Sequence, residues 1–191
     1  MIRESIKKIV NNLAENNYSN EEIEQMEYAL TTIFFEAIKI ILLIIIFSLF
    51  GYLRESIIIT LIMCSMKPFI GGYHEETQLR CFIATLLLTA GILILSLQVN
   101  LSFLSNCILI LLSIFVIWNQ APVINSKMPI TRPELIKKNR IRGLTSTIVL
   151  SLLSISLYNY TCYYSLITWT ILFHAVLMFN KREEQKSSIK N

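Results

Sequence analysis

Residues 82–118 read FIATLLLTAGILILSLQVNLSFLSNCILILLSIFVIW and contain no Asp, Glu, Lys or Arg. A helix that crosses a bilayer needs about 20 predominantly apolar residues. The run is therefore long enough for two such helices, divided near residues 99–102, which read VNLS. Residues 144–180 form a second run without these charged residues, divided near Tyr158-Asn159-Tyr160. Each run predicts two membrane-spanning helices joined by a short turn.

The composition of the whole chain also indicates a membrane protein. Of its 191 residues, 54% are hydrophobic and 16% are charged, whereas soluble domains are commonly about a quarter charged. Because helices satisfy all of their backbone groups in lipid, we predict an all-α polytopic membrane protein with about six hydrophobic segments. These segments lie at about 33–52, 55–70, 82–99, 102–118, 144–159 and 161–179.

Two of the segments depart from a plain apolar span. In the second, only about ten apolar residues precede Lys67-Pro68, fewer than a straight span needs. It is therefore either a short span or a broken, re-entrant element buried in protein. The first segment carries Glu36 and Lys39, which at a spacing of three can pair on one helix face. They form either an interfacial ion pair near the cytoplasmic end or a functional pair within the membrane.

The distribution of basic residues predicts how the chain is oriented. Cytoplasmic loops of membrane proteins carry an excess of Lys and Arg. One side of the predicted topology receives Arg54, and the other receives nearly all the remaining basic residues, in the two termini and in the loops 67–81 and 119–143. We therefore predict that both termini and both loops are cytoplasmic. This bias and anionic lipid headgroups account for the net charge of +4, so no nucleic-acid partner is needed.

The chain divides into three parts by pattern. We predict an amphipathic cytoplasmic region at 1–30, a single transmembrane helical domain at 31–180 and a cytoplasmic tail at 181–191. In the first part, apolar residues recur at helical spacing between charges, which is typical of a helix on the membrane surface or against the loops. These apolar residues are Ile6, Ile9, Val10 and Leu13.

The loop at 67–81 contains a histidine and a cysteine seven positions apart, His74 and Cys81. On one continuous helix they would lie about 10 Å apart along the axis, too far for proton transfer. A catalytic pair therefore requires a bend, which Gly71-Gly72 permits. Thr77 could then cap a helix that starts at Gln78, with Cys81 in its first turn.

In that position the helix dipole and the neighbouring Arg80 would both favour a thiolate at Cys81. Glu75 or Glu76 could orient the imidazole of His74, and the sequence does not choose between them. From the spacing alone, a polar loop that holds a histidine and a cysteine by chance stays open as an alternative.

The other cysteines and histidine predict structural roles. Cys64, Cys107 and Cys162 lie in hydrophobic segments, where a free thiol behaves as a small apolar group. His174 lies in the last apolar run, where packing or a helix–helix hydrogen bond is the expected role. The chain has no CxxC or HExxH, so the pattern indicates no metal site and no cofactor.

Two motifs in the predicted cytoplasmic loops carry a family resemblance. The first is KPFIGGYH at 67–74, followed by Cys81, and the second is APVINSKMPI at 121–130, followed by KKNR at 137–140. In both motifs, and in the order of its hydrophobic segments, the whole chain resembles the accessory gene regulator protein B (AgrB) family. One departure is Lys67, where the family often has Arg. Lysine keeps the charge but not the bidentate fork that grips a carboxylate.

The resemblance implies a membrane cysteine endopeptidase of Gram-positive quorum sensing, in the plasma membrane. Such a protein removes the C-terminal tail of an AgrD-like propeptide and closes the remaining segment into a ring. Cys81 would be the nucleophile and His74 the general base and acid, with a thioester intermediate that a Cys or Ser of the peptide resolves into a thiolactone or lactone. The resemblance also implies a homodimer.

The family's propeptide has an acidic tail, and the basic loop could receive it. Its basic residues also serve topology alone, and both interpretations stay open. A rival function is that of a non-enzymatic membrane protein, either a small transporter or a signalling partner. Supporting residues of the catalytic pair would be Gly71, Gly72, Glu75, Glu76, Lys67 and Arg80, and tail-binding residues would be Lys127, Arg132, Lys137, Lys138 and Arg140.

Overall fold

A computed structural model describes residues 20–71, 77–123 and 133–179, together with residues 4, 6, 10 and 18. Within the three long ranges the chain forms α-helices and no named strand, which confirms the all-α prediction. Each of the six predicted hydrophobic segments falls on one helix. The helices are α1 (Asn20–Leu49), α2 (Leu53–Ile70), α3 (Gln78–Gln98), α4 (Phe103–Gln120), α5 (Pro133–Leu157) and α6 (Tyr163–Leu177).

Four of the described helices are long and apolar enough to cross a membrane, by length and composition. They present large apolar side chains on their outer surfaces; Leu87 of α3 is 67% exposed and Leu111 of α4 is 65% exposed. Apolar surface of this extent is rare on soluble proteins and fits contact with lipid. The chain is therefore a multi-pass membrane protein. The four stretches are Glu22–Leu49, Gln78–Gln98, Phe103–Gln120 and Pro133–Leu157.

The second helix is continuous over residues 53–70, so this segment is not broken there, whereas the choice between a short span and a re-entrant element stays a prediction. α2 runs without interruption through Lys67 and Pro68, and Pro68 lies in its last turn. Its 18 residues correspond to about 27 Å of helix, close to the thickness of the hydrocarbon core. The helix tolerates Pro68 because a proline this close to the C-terminus removes a single backbone hydrogen bond.

The shortest helix is the one that lies at the centre. α6 packs against α2, α3, α4 and α5, and its apolar neighbours include Ile62, Met66 and Ile117. Its 15 residues give about 22 Å of helix, and most of its side chains contact protein. This is why a helix with several hydroxyl groups is accommodated here. Its buried residues are Ser165, Leu166, Ile167, Thr168, Thr170, Ile171, His174 and Ala175.

Hydrogen bonds between side chains also join the helices, in a network of Asn106, Ser154 and Thr168 from α4, α5 and α6. Thr168 Oγ1 donates to Asn106 Oδ1 at 2.6 Å, and Asn106 Nδ2 donates to Ser154 Oγ at 3.4 Å. The hydroxyls of Ser154 and Thr168 are 2.8 Å apart. All three residues are fully buried, and such hydrogen bonds hold membrane helices together.

Two helices, α1 and α5, begin more than ten residues before the predicted segments, because helical structure continues outside the apolar stretch. α1 begins at Asn20. α5 begins at Pro133, so the part of the predicted loop 119–143 from residue 133 onward is helical. Near the N-terminus, Ile6 and Val10 are helical and buried, whereas Glu4 is helical and exposed. This agrees with an amphipathic helix packed against protein. Ile9, Leu13 and the tail at 181–191 lie outside the described residues.

Candidate active site

Cys81 lies in the first turn of α3, where the sequence predicted it. Thr77 adopts an extended conformation, and its Oγ1 accepts a hydrogen bond from the Arg80 N–H at 3.3 Å. The Cys81 N–H donates to the Thr77 carbonyl at 3.0 Å. The predicted cap at Thr77 and the helix start at Gln78 are therefore confirmed, and residues 72–82 are not one continuous helix.

The bend itself lies outside the described residues, and so do four of the predicted site residues. α2 ends at Ile70, and Gly71 follows it with a φ of +73°. This is the left-handed region that favours glycine, as expected for Gly71. The four residues are Gly72, His74, Glu75 and Glu76, so the position of the proposed base relative to Cys81 stays a prediction.

The structure brings a third element to Cys81, because α1 contributes Lys39. The ammonium Nζ of Lys39 donates to Cys81 Sγ at 3.2 Å, although the two residues are far apart in sequence. Both residues are 8% exposed. Lys39 also forms an ion pair with Glu36, one helical turn earlier on α1. We call these three residues the Glu36–Lys39–Cys81 cluster.

The surroundings of Lys39 bear on the two alternatives for the Glu36–Lys39 pair on α1, an interfacial ion pair or a pair within the membrane. An interfacial ion pair would direct its lysine towards water and headgroups, whereas Lys39 is buried in protein against a thiol. The side chain of Arg80, which the sequence placed beside Cys81, is exposed. Sequence analysis noted Glu36 and Lys39 but did not include them in the site. Their signal was an ionisable pair within an apolar helix.

The two predicted cytoplasmic loops meet at Gly71. The Val123 N–H donates to the Ile70 carbonyl at 2.9 Å, and Gly71 and Val123 form an isolated parallel bridge. A Cβ added to Gly71 would lie 2.2 Å from the Val123 carbonyl oxygen. Glycine is therefore required at this crossing for two reasons, its positive φ and the close approach of the Val123 backbone.

Lys67 lies one turn before this crossing. Its carbonyl accepts the Gly71 N–H at 3.0 Å, and its side chain is half-buried. The charge on Lys67 is close enough to interact with Cys64 on α2 and with His174 on α6. His174 is buried, with Nδ1 2.9 Å from the Thr170 carbonyl oxygen, in line with the structural role expected of it.

The described residues among those predicted to bind the tail fall into two groups. Lys137 and Lys138 are exposed on the first turns of α5. Arg140 instead donates to the Trp118 carbonyl oxygen at 2.9 Å and lies 5.5 Å above the centre of the Trp118 ring. Arg140 therefore joins α5 to α4. Lys127 and Arg132 lie outside the described residues.

The remaining thiols are free and lie in different surroundings. Cys64 and Cys162 are exposed, and Cys107 is half-buried. Cys81 is the buried one and is joined to a buried cation. Among the described residues, no group of three or more His, Cys, Asp or Glu side chains could hold a metal ion.

Nearly the whole chain is similar in sequence to known proteins. No solved structure matches it. The chain is similar to an AgrB-like protein of Clostridium perfringens (strain 13 / Type A), with 42% identity over 187 residues that cover 97% of this chain and 100% of that protein. The family described as Accessory gene regulator B matches residues 6–178. The chain therefore belongs to the accessory gene regulator B family.

Proposed function

We propose that this chain is a membrane cysteine endopeptidase that removes the C-terminal tail of an AgrD-like propeptide and closes the rest into a thiolactone or lactone ring. Family membership supports a role in the agr quorum-sensing system in general, and the chemistry is the proposal. The observation that carries it is the contact of Cys81 Sγ with the Lys39 ammonium, 3.2 Å away, where Cys81 is buried in the first turn of its helix. A thiol beside a cation at a helix N-terminus is the usual environment of a nucleophilic cysteine.

The first step is attack on the peptide at the tail junction. His74 takes the thiol proton of Cys81, and the sulfur bonds to the carbonyl carbon, whose oxygen becomes negative. The N–H groups of Arg80 and Cys81 already bond to Thr77, so the proposed donors to this oxyanion are those of Gln78 and Leu79. When the carbon–nitrogen bond breaks, the imidazolium of His74 returns the proton to the leaving amine.

The second step is transfer of the acyl group within the peptide. A Cys or Ser of the bound peptide gives its proton to His74 and attacks the thioester carbon. The carbon–sulfur bond to Cys81 breaks, the ring closes, and His74 returns the proton to the Cys81 sulfur. A thioester passes to a thiol with little change in free energy, which suits a cysteine enzyme that must transfer rather than hydrolyse. Burial of Cys81 would limit the access of water to the acyl-enzyme.

The tail of the propeptide is the proposed ligand of the exposed lysines on α5. Lys137 and Lys138 are exposed, and the loop that precedes α5 is joined to the catalytic loop by the Gly71–Val123 contact. An acidic tail held there would lie near the loop of His74. We propose this with the orientation that the basic residues predict, in which both termini and both loops are cytoplasmic. The homodimer stays an expectation from the family resemblance.

Co-expression with an AgrD-like propeptide tests the proposal. We expect Cys81→Ala and His74→Ala each to abolish tail removal, measured by immunoblotting of a C-terminally tagged propeptide. Cys107→Ala, which also removes a thiol from a helix, should process normally. A non-enzymatic transporter or signalling partner would leave tail removal unchanged in Cys81→Ala, and that result would disprove the peptidase.

The fate of the thioester needs a separate measurement. Mass spectrometry of the released peptide distinguishes the two outcomes, since a linear product is heavier than the ring by one water. We expect the cyclic mass. A linear product from the intact chain would keep the peptidase and reject the proposed ring closure.

A further inference from the structure

A buried lysine needs a reason to be in an apolar bundle. Removal of an ammonium from water carries a large free-energy cost, and charged residues inside membrane helices generally mark functional positions. Lys39 is buried on α1, and within the described part of the chain it makes polar contacts to Glu36 on its own helix and to Cys81 on α3. The ion pair with Glu36 compensates the buried charge of Lys39. The contact with Cys81 places the same charge beside Sγ, the atom that reacts in the proposed mechanism.

We propose that Lys39 is a catalytic residue that stabilises negative charge on Cys81 Sγ, and that Glu36 is a positioning residue that holds Lys39 in place. This inference rests on the proposed function, because it assigns work to Lys39 in the same peptidase reaction. It adds a cation from α1 to a site that the sequence assigned wholly to the loop at 67–81.

Lys39 would act twice in one reaction cycle without giving up a proton. When His74 takes the thiol proton, the electron pair left on Sγ faces the ammonium, which donates a hydrogen bond to it. That charge moves to the substrate oxygen when the carbon–sulfur bond forms. When the peptide's own nucleophile breaks this bond, the electron pair returns to Sγ beside the same ammonium. Lys39 therefore assists Cys81 both as nucleophile and as leaving group.

Glu36 sets the strength of this effect, because it shares the ammonium with the sulfur. A carboxylate at Glu36 and a thiolate at Cys81 would both attract the ammonium of Lys39, so they compete for it. If Glu36 is made neutral, Lys39 and the thiolate form a simple ion pair, which favours the thiolate. From α2, Cys64 is an ionisable group on which the charge of Glu36 also acts.

The charges predict opposite effects of two substitutions on the reactivity of Cys81. Lys39→Met keeps the length of the side chain and removes its charge, so we expect alkylation of Cys81 by iodoacetamide at neutral pH to slow by about tenfold. Lys39→Arg keeps a cation, and alkylation should stay within about threefold of the parent. Glu36→Gln should accelerate it severalfold. If Lys39 only filled space, its charge would not matter to Cys81. Lys39→Met and Glu36→Gln would then not change the alkylation rate in opposite directions, and Lys39→Arg would not keep the rate of the parent.

The experiment uses the full chain in detergent, with Cys64, Cys107 and Cys162 replaced by alanine so that Cys81 is the single thiol. A parallel set of the same variants keeps Cys107, in α4, as the single thiol. Its alkylation rate measures whether a substitution loosens the packing of the helices. The charge variants should leave alkylation of Cys107 unchanged. Faster alkylation of Cys107 would show a loosened fold, and the comparison would then rest on Lys39→Arg and Glu36→Gln.

Tail removal is measured on the same variants in a chain that keeps all four cysteines. We expect Lys39→Met to slow it by about tenfold and Lys39→Arg to restore it. If Lys39→Met leaves the alkylation of Cys81 unchanged while Cys81→Ala abolishes tail removal, the role of Lys39 is wrong and the peptidase stands. If Cys81→Ala still removes the tail, the peptidase itself fails, and the catalytic role of Lys39 fails with it.

Discussion

The Glu36–Lys39–Cys81 cluster and the Asn106–Ser154–Thr168 network both bury polar groups between membrane helices, but only the first contains ionisable groups. In the network, hydroxyl and amide groups from α4, α5 and α6 bond to one another. In the cluster, an ammonium bonds to a thiol that can become charged. Neutral groups that pair with each other hold helices together at low cost. A buried ion that contacts a thiol is a costly arrangement, and the proposed chemistry gives a reason to keep it.

The largest difference between the two regions should come from replacing one atom in the cluster. Cys81→Ser keeps a hydrogen-bond acceptor for Lys39 but replaces the thiol by a hydroxyl, which is far harder to ionise at neutral pH. We expect tail removal to fall by at least about a thousandfold while the unfolding temperature in detergent barely changes. Substantial tail removal by this variant would show that the sulfur is not needed and that the cluster is structural, as the network is.

The second prediction concerns the loop crossing at Gly71 and Val123. Gly71→Ala would place a Cβ 2.2 Å from the Val123 carbonyl oxygen at a φ of +73°, so the two loops must separate. We expect a loss of about 2 kcal/mol of stability and a larger loss of tail removal than of folded protein.

Two other glycines provide controls for this prediction. Gly91 in α3 and Gly51 before α2 both have open space around a new Cβ, and Gly51 has a φ of +85°. Gly91→Ala should be neutral, and Gly51→Ala should show the cost of the dihedral without the clash. If Gly71→Ala behaves like Gly51→Ala in tail removal, contact between the loops does not matter to the site.

The comparison also shows which features could be predicted from sequence. The runs at 82–118 and 144–180 predicted two helix pairs and placed the turn within each pair to a few residues, because absence of charge over a fixed length is a local property. The cap at Thr77 was also predictable, since its partner lies three residues away. The bounds were least accurate where polar sequence stays helical, as in α5, which begins at Pro133.

The contact between Lys39 and Cys81 could not be predicted, and the same holds for the network. Both join residues on different helices, 42 positions apart for Lys39 and Cys81 and 62 for Asn106 and Thr168. Such contacts depend on the rotation of each helix about its axis, which packing sets and local sequence does not. The sequence supplied an ionisable pair on α1 and a candidate nucleophile on α3, but not their proximity.

The third prediction tests the network as a purely structural feature. Thr168→Val removes the hydroxyl that donates to Asn106, so we expect a loss of about 1 kcal/mol of stability and unchanged tail removal below the unfolding temperature. Thermal unfolding in detergent measures the first and co-expression the second. Ser113→Ala is the matched control, since the buried Ser113 hydroxyl donates to the Leu109 carbonyl of its own helix. Loss of tail removal in a folded Thr168→Val protein would assign the network a functional role as well.

The smallest effect should come from exposed charges that belong to neither region. Lys137 and Lys138 are exposed on α5, whereas Arg140 is bound to Trp118. If the lysines receive the acidic tail, Lys137→Gln with Lys138→Gln should raise KM for the propeptide about threefold at low salt with kcat unchanged. Exposed charges act weakly, and added salt should reduce the difference because it screens them. Arg140→Gln should instead lower stability without a salt-dependent change in KM. Equal KM values for the parent and the double variant at low salt would show that the lysines do not bind the tail and serve only to orient the chain in the membrane. The tail site would then be sought in the loop before α5.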